Sequence, residues 1–185
     1  VHAYTNAEGG LIQPDAQPGD FRYKDLNGDG SITAEGDRAN LGKCVPSWTY
    51  GINASIDWKG IDFSMVWQGV AGNKIFDATR RTDSPTMNQP KYVLNRWTGE
   101  GSTNDYPRFT VTDPNQNWSK ASDFFIKDAS YFRLKNVTLG YTLPVNWTNK
   151  IFVKKFRVYV ACENALTFTK YDGFDPEIAD YVDRG

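Results

Sequence analysis

Histidine occurs once in these 185 residues, and cysteine and methionine occur twice each. The lone His2 makes any Ser-His-Asp or Cys-His relay depend on one residue near the chain end, and it dismisses histidine-based transition-metal sites. A GxxxxGK[ST] loop is missing as well, so that form of phosphate cradle is excluded. Asp172 and Asp175 lie in a Gly/Pro loop and read as solvated carboxylates rather than as a glycosidase pair. The chain is therefore read as non-enzymatic. Cys44 precedes the first strand-like run and Cys162 falls on the apolar side of a later one. Nothing in the pattern brings them within the about 7 Å between Cα atoms that a disulfide needs, and both are expected to be free. Lys+Arg total 21 against 22 Asp+Glu, a formal charge of −1, which argues against a nucleic-acid binder relying on bulk electrostatics. No apolar run reaches the about 20 residues of a transmembrane helix, and mean hydropathy is −0.58. That absence leaves a β-barrel open, because barrels carry apolar residues at every second position. The start, VHAYTNAEGG, has no basic region followed by an apolar core. No signal peptide is read there, and the chain is expected to be either a mature start or a piece of something longer.

Aromatics are abundant at 15%, with 6 Trp, 10 Tyr and 11 Phe, and they fall in a pattern. Trp48, Tyr50, Ile52, Ala54, Ile56 and Trp58 alternate with Thr49, Gly51, Asn53, Ser55 and Asp57. After a turn at Lys59 and Gly60, Ile61, Phe63, Met65 and Trp67 alternate with Asp62, Ser64, Val66 and Gln68. Strict alternation predicts a hairpin with one apolar and one polar face. Eleven residues match the about 9–11 of a tilted membrane-crossing strand, and the apolar stripe begins and ends on aromatics, as in a lipid-facing band between two headgroup layers. A soluble β-sandwich hairpin alternates in the same way.

Residues 131–143 repeat the pattern, with Val137, Leu139, Tyr141 and Leu143 on one side. Arg133 and Lys135 fall in the apolar register, so that part of the strand is expected to stand clear of lipid. Pro144 ends it. Beyond an irregular link, Phe156, Val158, Val160, Cys162, Leu166 and Phe168 oppose Arg157, Tyr159, Ala161, Glu163, Thr167 and Thr169. The expected organisation is a loop region over 1–47, a transmembrane hairpin over 48–69, a long extracellular loop over 70–130, a second transmembrane strand pair over 131–170 and the start of another extracellular loop over 171–185. Short turns on one side and long loops on the other favour an outer-membrane barrel, since so long a connection counts against a compact soluble domain. Four strands cannot close, because open edges would leave unpaired backbone groups in hydrocarbon. The remaining strands are expected from another part of the same protein. In the loops, Trp97, Tyr106 and Trp118 suit either stacking on sugar rings or packing the loops together.

Five blocks, PGDFRYKDLNGDGSIT, TYGINASIDWKGIDFSMVWQGVAGNKIFD, RWTGEGSTNDYPRF, YFRLKNVTLGYTLP and ENALTFTKYDGFDPE, resemble in order and spacing the C-terminal part of SusC-like TonB-dependent transporters. These are outer-membrane glycan and peptide importers typical of Bacteroidetes, and the resemblance covers residues 18–177. It implies an all-β antiparallel transmembrane β-barrel segment, part of a plugged barrel of about 22 strands, in the bacterial outer membrane. It also implies partners: a SusD-like surface lipoprotein as lid, the plug and other strands of the same transporter, TonB acting through an N-terminal part, and a glycan or peptide substrate. The plug, the TonB box and the final strands are not among these residues, so the segment is not expected to transport alone. Two other functions fit the pattern: a soluble carbohydrate-binding β-domain with a structural calcium loop, separable by detergent dependence, and an outer-membrane barrel with a structural or adhesive role, separable by co-purification with a lid. Substrate-binding residues cannot be chosen from sequence.

One cofactor is suggested by the residues themselves. Asp25, Asn27 and Asp29 stand at positions 1, 3 and 5 of a calcium-type loop with Gly30 at 6 and Ile32 at 8. Candidate Ca²⁺ ligands are Asp25, Asn27, Asp29, Ser31, Glu35 and Asp37. Position 12 is Gly36 rather than the usual bidentate Glu, and no helical pattern precedes Asp25. An Asx-rich turn held by its own hydrogen bonds accounts for the same residues.

Overall fold

The computed structural model describes residues 4–77, 88–89 and 91–177; His2, parts of the expected loops at 78–87 and 90, and residues 178–185 lie outside the described residues. Two compact units form, one from Val1–Leu41 with Asp77–Phe125 and one from Gly42–Phe76 with Ile126–Gly185. No helix among the described residues is long and apolar enough to cross a membrane.

The second unit is built on a four-stranded antiparallel sheet of β1 (Trp48–Trp58), β2 (Ile61–Ala71), β5 (Tyr131–Thr142) and β6 (Arg157–Thr169), in the order β1-β2-β5-β6. Two short strands, β3 (Lys74–Phe76) and β4 (Ile126–Asp128), pair beside it. The stretch expected as one loop over 70–130 thus begins and ends in strand, and its middle belongs to the other unit. Lys59 and Gly60 both have positive φ, 48° and 88°, which closes β1 onto β2 in two residues. The β5–β6 connection contains a short helix, α1 (Val145–Thr148), and a 3₁₀ turn (Asn149–Ile151). Both connections lie at one end of the sheet, where the Thr142 amide donates to the Gly60 carbonyl at 2.7 Å.

Cross-strand register decides what the sheet is. Tyr50, Gly69, Phe132 and Phe168 form one row, and Ile52, Trp67, Leu134 and Leu166 the next. Ala54, Met65, Val137 and Cys162 follow, then Ile56, Phe63, Leu139 and Val160, then Trp58, Ile61, Tyr141 and Val158. Every row on this face is apolar or aromatic. The rows between them carry Asn53, Val66, Asn136 and Glu163, and Ser55, Ser64, Thr138 and Ala161.

Alternation over four strands is kept by irregularities at one level. On β5 the partner register slips so that Val66 pairs with Asn136 and Trp67 with Leu134, leaving Lys135 as the extra residue. The register slips again between β5 and β6, where Asn164 takes φ 52°. The expectation that Arg133 stands in the apolar register is corrected here. The bulge inverts the parity of the strand, so Phe132 and Leu134 continue the apolar face and Arg133 turns to the polar one.

Glycine supplies the close approach that stacks the aromatic end. A Cβ at Gly69 would stand 2.5 Å from the Tyr50 ring, so the ring lies across the bare backbone of β2 and stacks on Phe132 at 5.7 Å between centroids. Phe132 stacks on Trp67 at 4.8 Å, and Trp67 on Phe168 at 6.2 Å. One aromatic chain therefore crosses β1, β2, β5 and β6 on the apolar face.

The first unit has little regular structure and is held by buried amides and rings. Asn117, 1% exposed, accepts from the Phe21 amide at 2.9 Å and from the Asn115 side chain at 2.7 Å, and donates to Asp20 at 2.6 Å. Gln13 bonds Asn115 and the Tyr23 amide, and Arg108 pairs with Asp20. Phe124 lies against Phe21, Tyr106, Trp118 and Phe125. Burial, with Asp113 and Asp20 nearby, pushes the Tyr23 phenol well above its ordinary value.

Gly69→Val forces the Tyr50 ring off β2 and breaks its stack on Phe132. The expected cost is about 1 kcal/mol, the scale of one aromatic pair, read from urea unfolding of the refolded full-length protein. Wild-type stability would refute the role given to the bare backbone.

Candidate functional site

The polar face of the sheet is the surface on which chemistry-bearing side chains converge. At the turn end, Asp57 and Asp62 are direct cross-strand partners, an unfavourable like-charge juxtaposition. Arg157 reaches Asp62 from β6, with Nε donating to Oδ1 at 2.9 Å and a second bond closing the fork. It passes over Gly140, where a Cβ would stand 2.6 Å from the Arg157 guanidinium and 2.5 Å from Asp62. Glycine on the middle strand is what lets the outer two exchange charge.

A second cluster occupies the far end. Arg133 is 5% exposed. Its Nε donates to Thr167 Oγ1 at 2.9 Å, its Nη2 to Asp175 Oδ1 at 2.6 Å and its Nη1 to Glu177 Oε2 at 2.6 Å. Lys135, the bulge residue, also binds Glu177 through Oε2 at 2.7 Å. The segment 171–177 is thereby strapped across the polar face, with its own Pro176 buried. Hydrogen bonding to the Arg133 guanidinium holds the Asp175 carboxyl below its usual range. Neither charge cluster was visible from spacing. Simple alternation places Arg133 on the apolar face and leaves Asp175 solvated, whereas the bulge turns Arg133 to the polar face and pairs the two. The detectable signal was the mismatch itself: two basic residues in an otherwise alternating strand mark a bulge.

Of the two uses open to the loop rings, sugar stacking or packing the loops together, the structure shows packing contacts for all three, with Trp118 buried and Trp97 and Tyr106 half-buried. Trp118 is buried and donates from Nε1 to the Arg108 carbonyl at 2.9 Å, Tyr106 stacks on Tyr92 at 5.7 Å, and the Trp97 ring fills the space beside Gly19.

The candidate calcium residues form a tight Asx-type turn. Asp25 accepts from the amides of Gly28 at 2.6 Å and Gly30 at 2.8 Å. Asp29 accepts from the amide and hydroxyl of Ser31, both at 2.8 Å, and from Asn27 at 2.7 Å. Asp37 closes the loop by accepting from Leu26 and Thr33, both at 2.7 Å. Glu35 is exposed in the last turn. Bonds from Ser31 and Asn27 lower the Asp29 carboxyl, and backbone bonds from Thr33 and Leu26 lower Asp37. The carboxylate oxygens point at amides, and among the described residues no group of three or more His, Cys, Asp or Glu side chains is arranged to hold a metal ion. Cys44 and Cys162 are both free and exposed.

No protein-family model matches the chain. It is 33% identical over 167 residues to TonB-dependent receptor P3 of Formosa agariphila, covering 90% of this chain and 16% of that protein. It is 24% identical over 174 residues to TonB-dependent receptor SusC of Bacteroides thetaiotaomicron, covering 94% of this chain and 17% of that protein. Its fold matches a solved structure of the RagAB peptide transporter with TM-score 0.65 and 27% identity, over 81% of this chain and 17% of that one. The chain thus spans about one-sixth of the length of the curated relatives it matches.

Because the native carboxyl of Asp175 is depressed, its contribution to the strap is complete above the ordinary carboxylate range and is lost as pH falls through the depressed value. Amide hydrogen exchange over 169–177, corrected for intrinsic rate, should accelerate in that acid window. Arg133→Gln should accelerate it already at pH 7, and an unchanged profile would show that the strap is held by something else.

Proposed function

We propose that this chain, a relative of TonB-dependent receptors over a sixth of their length, is a wall segment of an outer-membrane import barrel, the C-terminal portion of a SusC-like transporter. One observation carries the reading: a four-stranded sheet whose apolar face is exposed on β1, on β6 and toward the turn end of β5, half exposed on β2, and buried at Leu134. Ile52 is 53% exposed, Ile56 64%, Leu139 54% and Val160 73%. A continuous apolar surface of this size calls for cover. From Trp48 to Trp58 the strand advances about 33 Å, which at a tilt of about 40° gives a band of about 25 Å, the height of a barrel's lipid-facing belt. Stacked aromatics at one end and Trp58 with Tyr141 at the other suit two interfacial girdles.

The long edges support a barrel over a soluble domain. Among the described residues, the outer edges of β1 and β6 carry no partner strand. In hydrocarbon such edges must be paired, and the neighbouring strands of the same transporter supply the pairing. The polar face then looks into the lumen, beside the plug. In this reading the turns at 59–60 and 143–156 are periplasmic, and the connection that leaves β2 for β5 and the strap after β6 emerge on the outer side, where a SusD-like lipoprotein lid would meet them. A glycan or peptide substrate enters there, and TonB powers passage through the N-terminal part. No catalytic step is proposed.

Two substitutions at one depth test the membrane placement. Ala54→Arg faces lipid near the middle of the band and should cost about 2–4 kcal/mol, while Asn53→Arg faces the lumen and should be far milder. The measurement is folding of the full-length receptor into lipid vesicles. Equal effects, or a receptor that stays monodisperse without detergent, would favour the soluble carbohydrate-binding domain instead. Import itself is tested by co-purification with a surface lipoprotein and by loss of labelled oligosaccharide or peptide uptake when the gene is deleted.

Calcium at the loop of Asp25, Asn27, Asp29, Ser31, Glu35 and Asp37 is a separate proposal, supported by the 1-3-5-6 spacing of its oxygen side chains and glycine. Calorimetric titration of the receptor with Ca²⁺ should show one site that Asp25→Ala removes. Heat unchanged by that substitution would leave an Asx turn and nothing more.

A further inference from the structure

The turn end of the sheet joins exposed rings to an excess of positive charge, Lys59, Lys150, Lys154, Lys155 and Arg157 outnumbering Asp57 and Asp62. Lys59 sits over the ring of Trp58, its Nζ 4.9 Å from the centroid, and Trp58 is 63% exposed at the end of the apolar face. In the β5–β6 connection Val145 is 58% exposed, Trp147 64% and Phe152 97%. Phe152 is held outward in the left-handed region, with φ 59°. Lys150, Lys154 and Lys155 are exposed between and after them, and residues 143–156 contain no acidic side chain. The opposite end of the same sheet is different, since Asp128, Asp175 and Glu177 there pair with Lys74, Arg133 and Lys135.

We propose that this rim, Trp58 and Lys59 together with Trp147, Lys150, Phe152 and Lys154, is a docking surface for the anionic headgroup layer of a phospholipid leaflet. The proposal rests on the membrane-spanning reading of the sheet and adds a lipid preference to it. Continuity supplies the first argument: Leu143 and Phe156 continue the apolar register one row beyond Tyr141 and Val158, the Leu143 amide donating to the Phe156 carbonyl at 2.9 Å and Phe156 standing 45% exposed, so the connection leaves the sheet from its apolar rows. Charge complementarity supplies the second. Long lysine side chains at a membrane edge keep their stems along apolar surface and their ammonium groups among phosphates, as the Lys59–Trp58 contact already does. Each such lysine adds favourable energy only where the leaflet is negative. A protein partner covering the same rings would need acidic groups to answer the lysines. Lys155 is left out because it stands close to Asp62 on the polar face.

A local probe tests the idea. Asn149 is exposed within the rim, and Asn149→Cys in a Cys44→Ser, Cys162→Ala background accepts a bimane label on the full-length receptor. After reconstitution in phosphatidylethanolamine vesicles containing phosphatidylglycerol, the brominated form of each lipid is supplied in turn. Brominated phosphatidylglycerol should quench the label several-fold more per molecule than brominated phosphatidylethanolamine. Lys59→Gln, Lys150→Gln and Lys154→Gln together should bring the two lipids to equality while quenching persists. Equal quenching before substitution, a preference that survives it, or no quenching by either lipid would overturn the proposal, the last by showing the rim covered by protein. A receptor that never enters the vesicles would instead take down the membrane-spanning reading on which it rests.

Discussion

The sheet depends on parity. With a period of two, a strand that slips by one residue sends every side chain to the opposite face. Here four strands must agree, because one face is apolar from end to end. The extra residue at Lys135 is where they come to agree. Without it, Phe132 and Leu134 would join the polar face and Arg133 with Lys135 would stand among the aliphatic rows. With it, the rows run unbroken from Tyr50 to Phe168 and from Trp58 to Val158.

The same irregularity creates the charge cluster at that end. Arg133 is turned inward and Lys135 is freed from strict alternation, and both become available to Asp175 and Glu177. A buried guanidinium is tolerated because Thr167, Asp175 and Glu177 answer its donors. At the other end the solution is absence of a side chain: Gly140 leaves the gap through which Arg157 relieves the Asp57–Asp62 repulsion. Gly69 does the corresponding thing for rings on the apolar face. Backbone space and register, rather than the number of charges or aromatics, therefore set which contacts form.

The loop unit obeys another rule. Lacking ladders, it meets the hydrogen-bond demand of its backbone with amide side chains, Asn117 and Gln13 above all. Its rings are consumed by mutual packing around Phe124. Sugar-stacking aromatics therefore cannot be chosen from ring content: Trp118 is of the residue type a sugar site uses and is nonetheless interior.

Local pattern alone determined the strands and their faces in β1, β2 and β6, since β1 and β2 alternate without interruption and β6 keeps its parity across the irregularity at Asn164 and Ala165. It also determined the two-residue turn at Lys59 and Gly60, the DxNxDG turn as a unit, and, through five ordered blocks, the kinship with TonB-dependent receptors. It did not determine where Arg133 points: two basic residues in the apolar register mark an irregularity, but a bulge is a relation between strands and only the partner strand fixes which residue is extra. Nor did it reveal that 171–177 folds back onto the polar face, since that contact joins side chains more than forty residues apart in sequence. Alternation is a one-strand property and survives in the letters; register, close approach over glycine and charge pairing are properties of neighbours, and only the assembled sheet decided them.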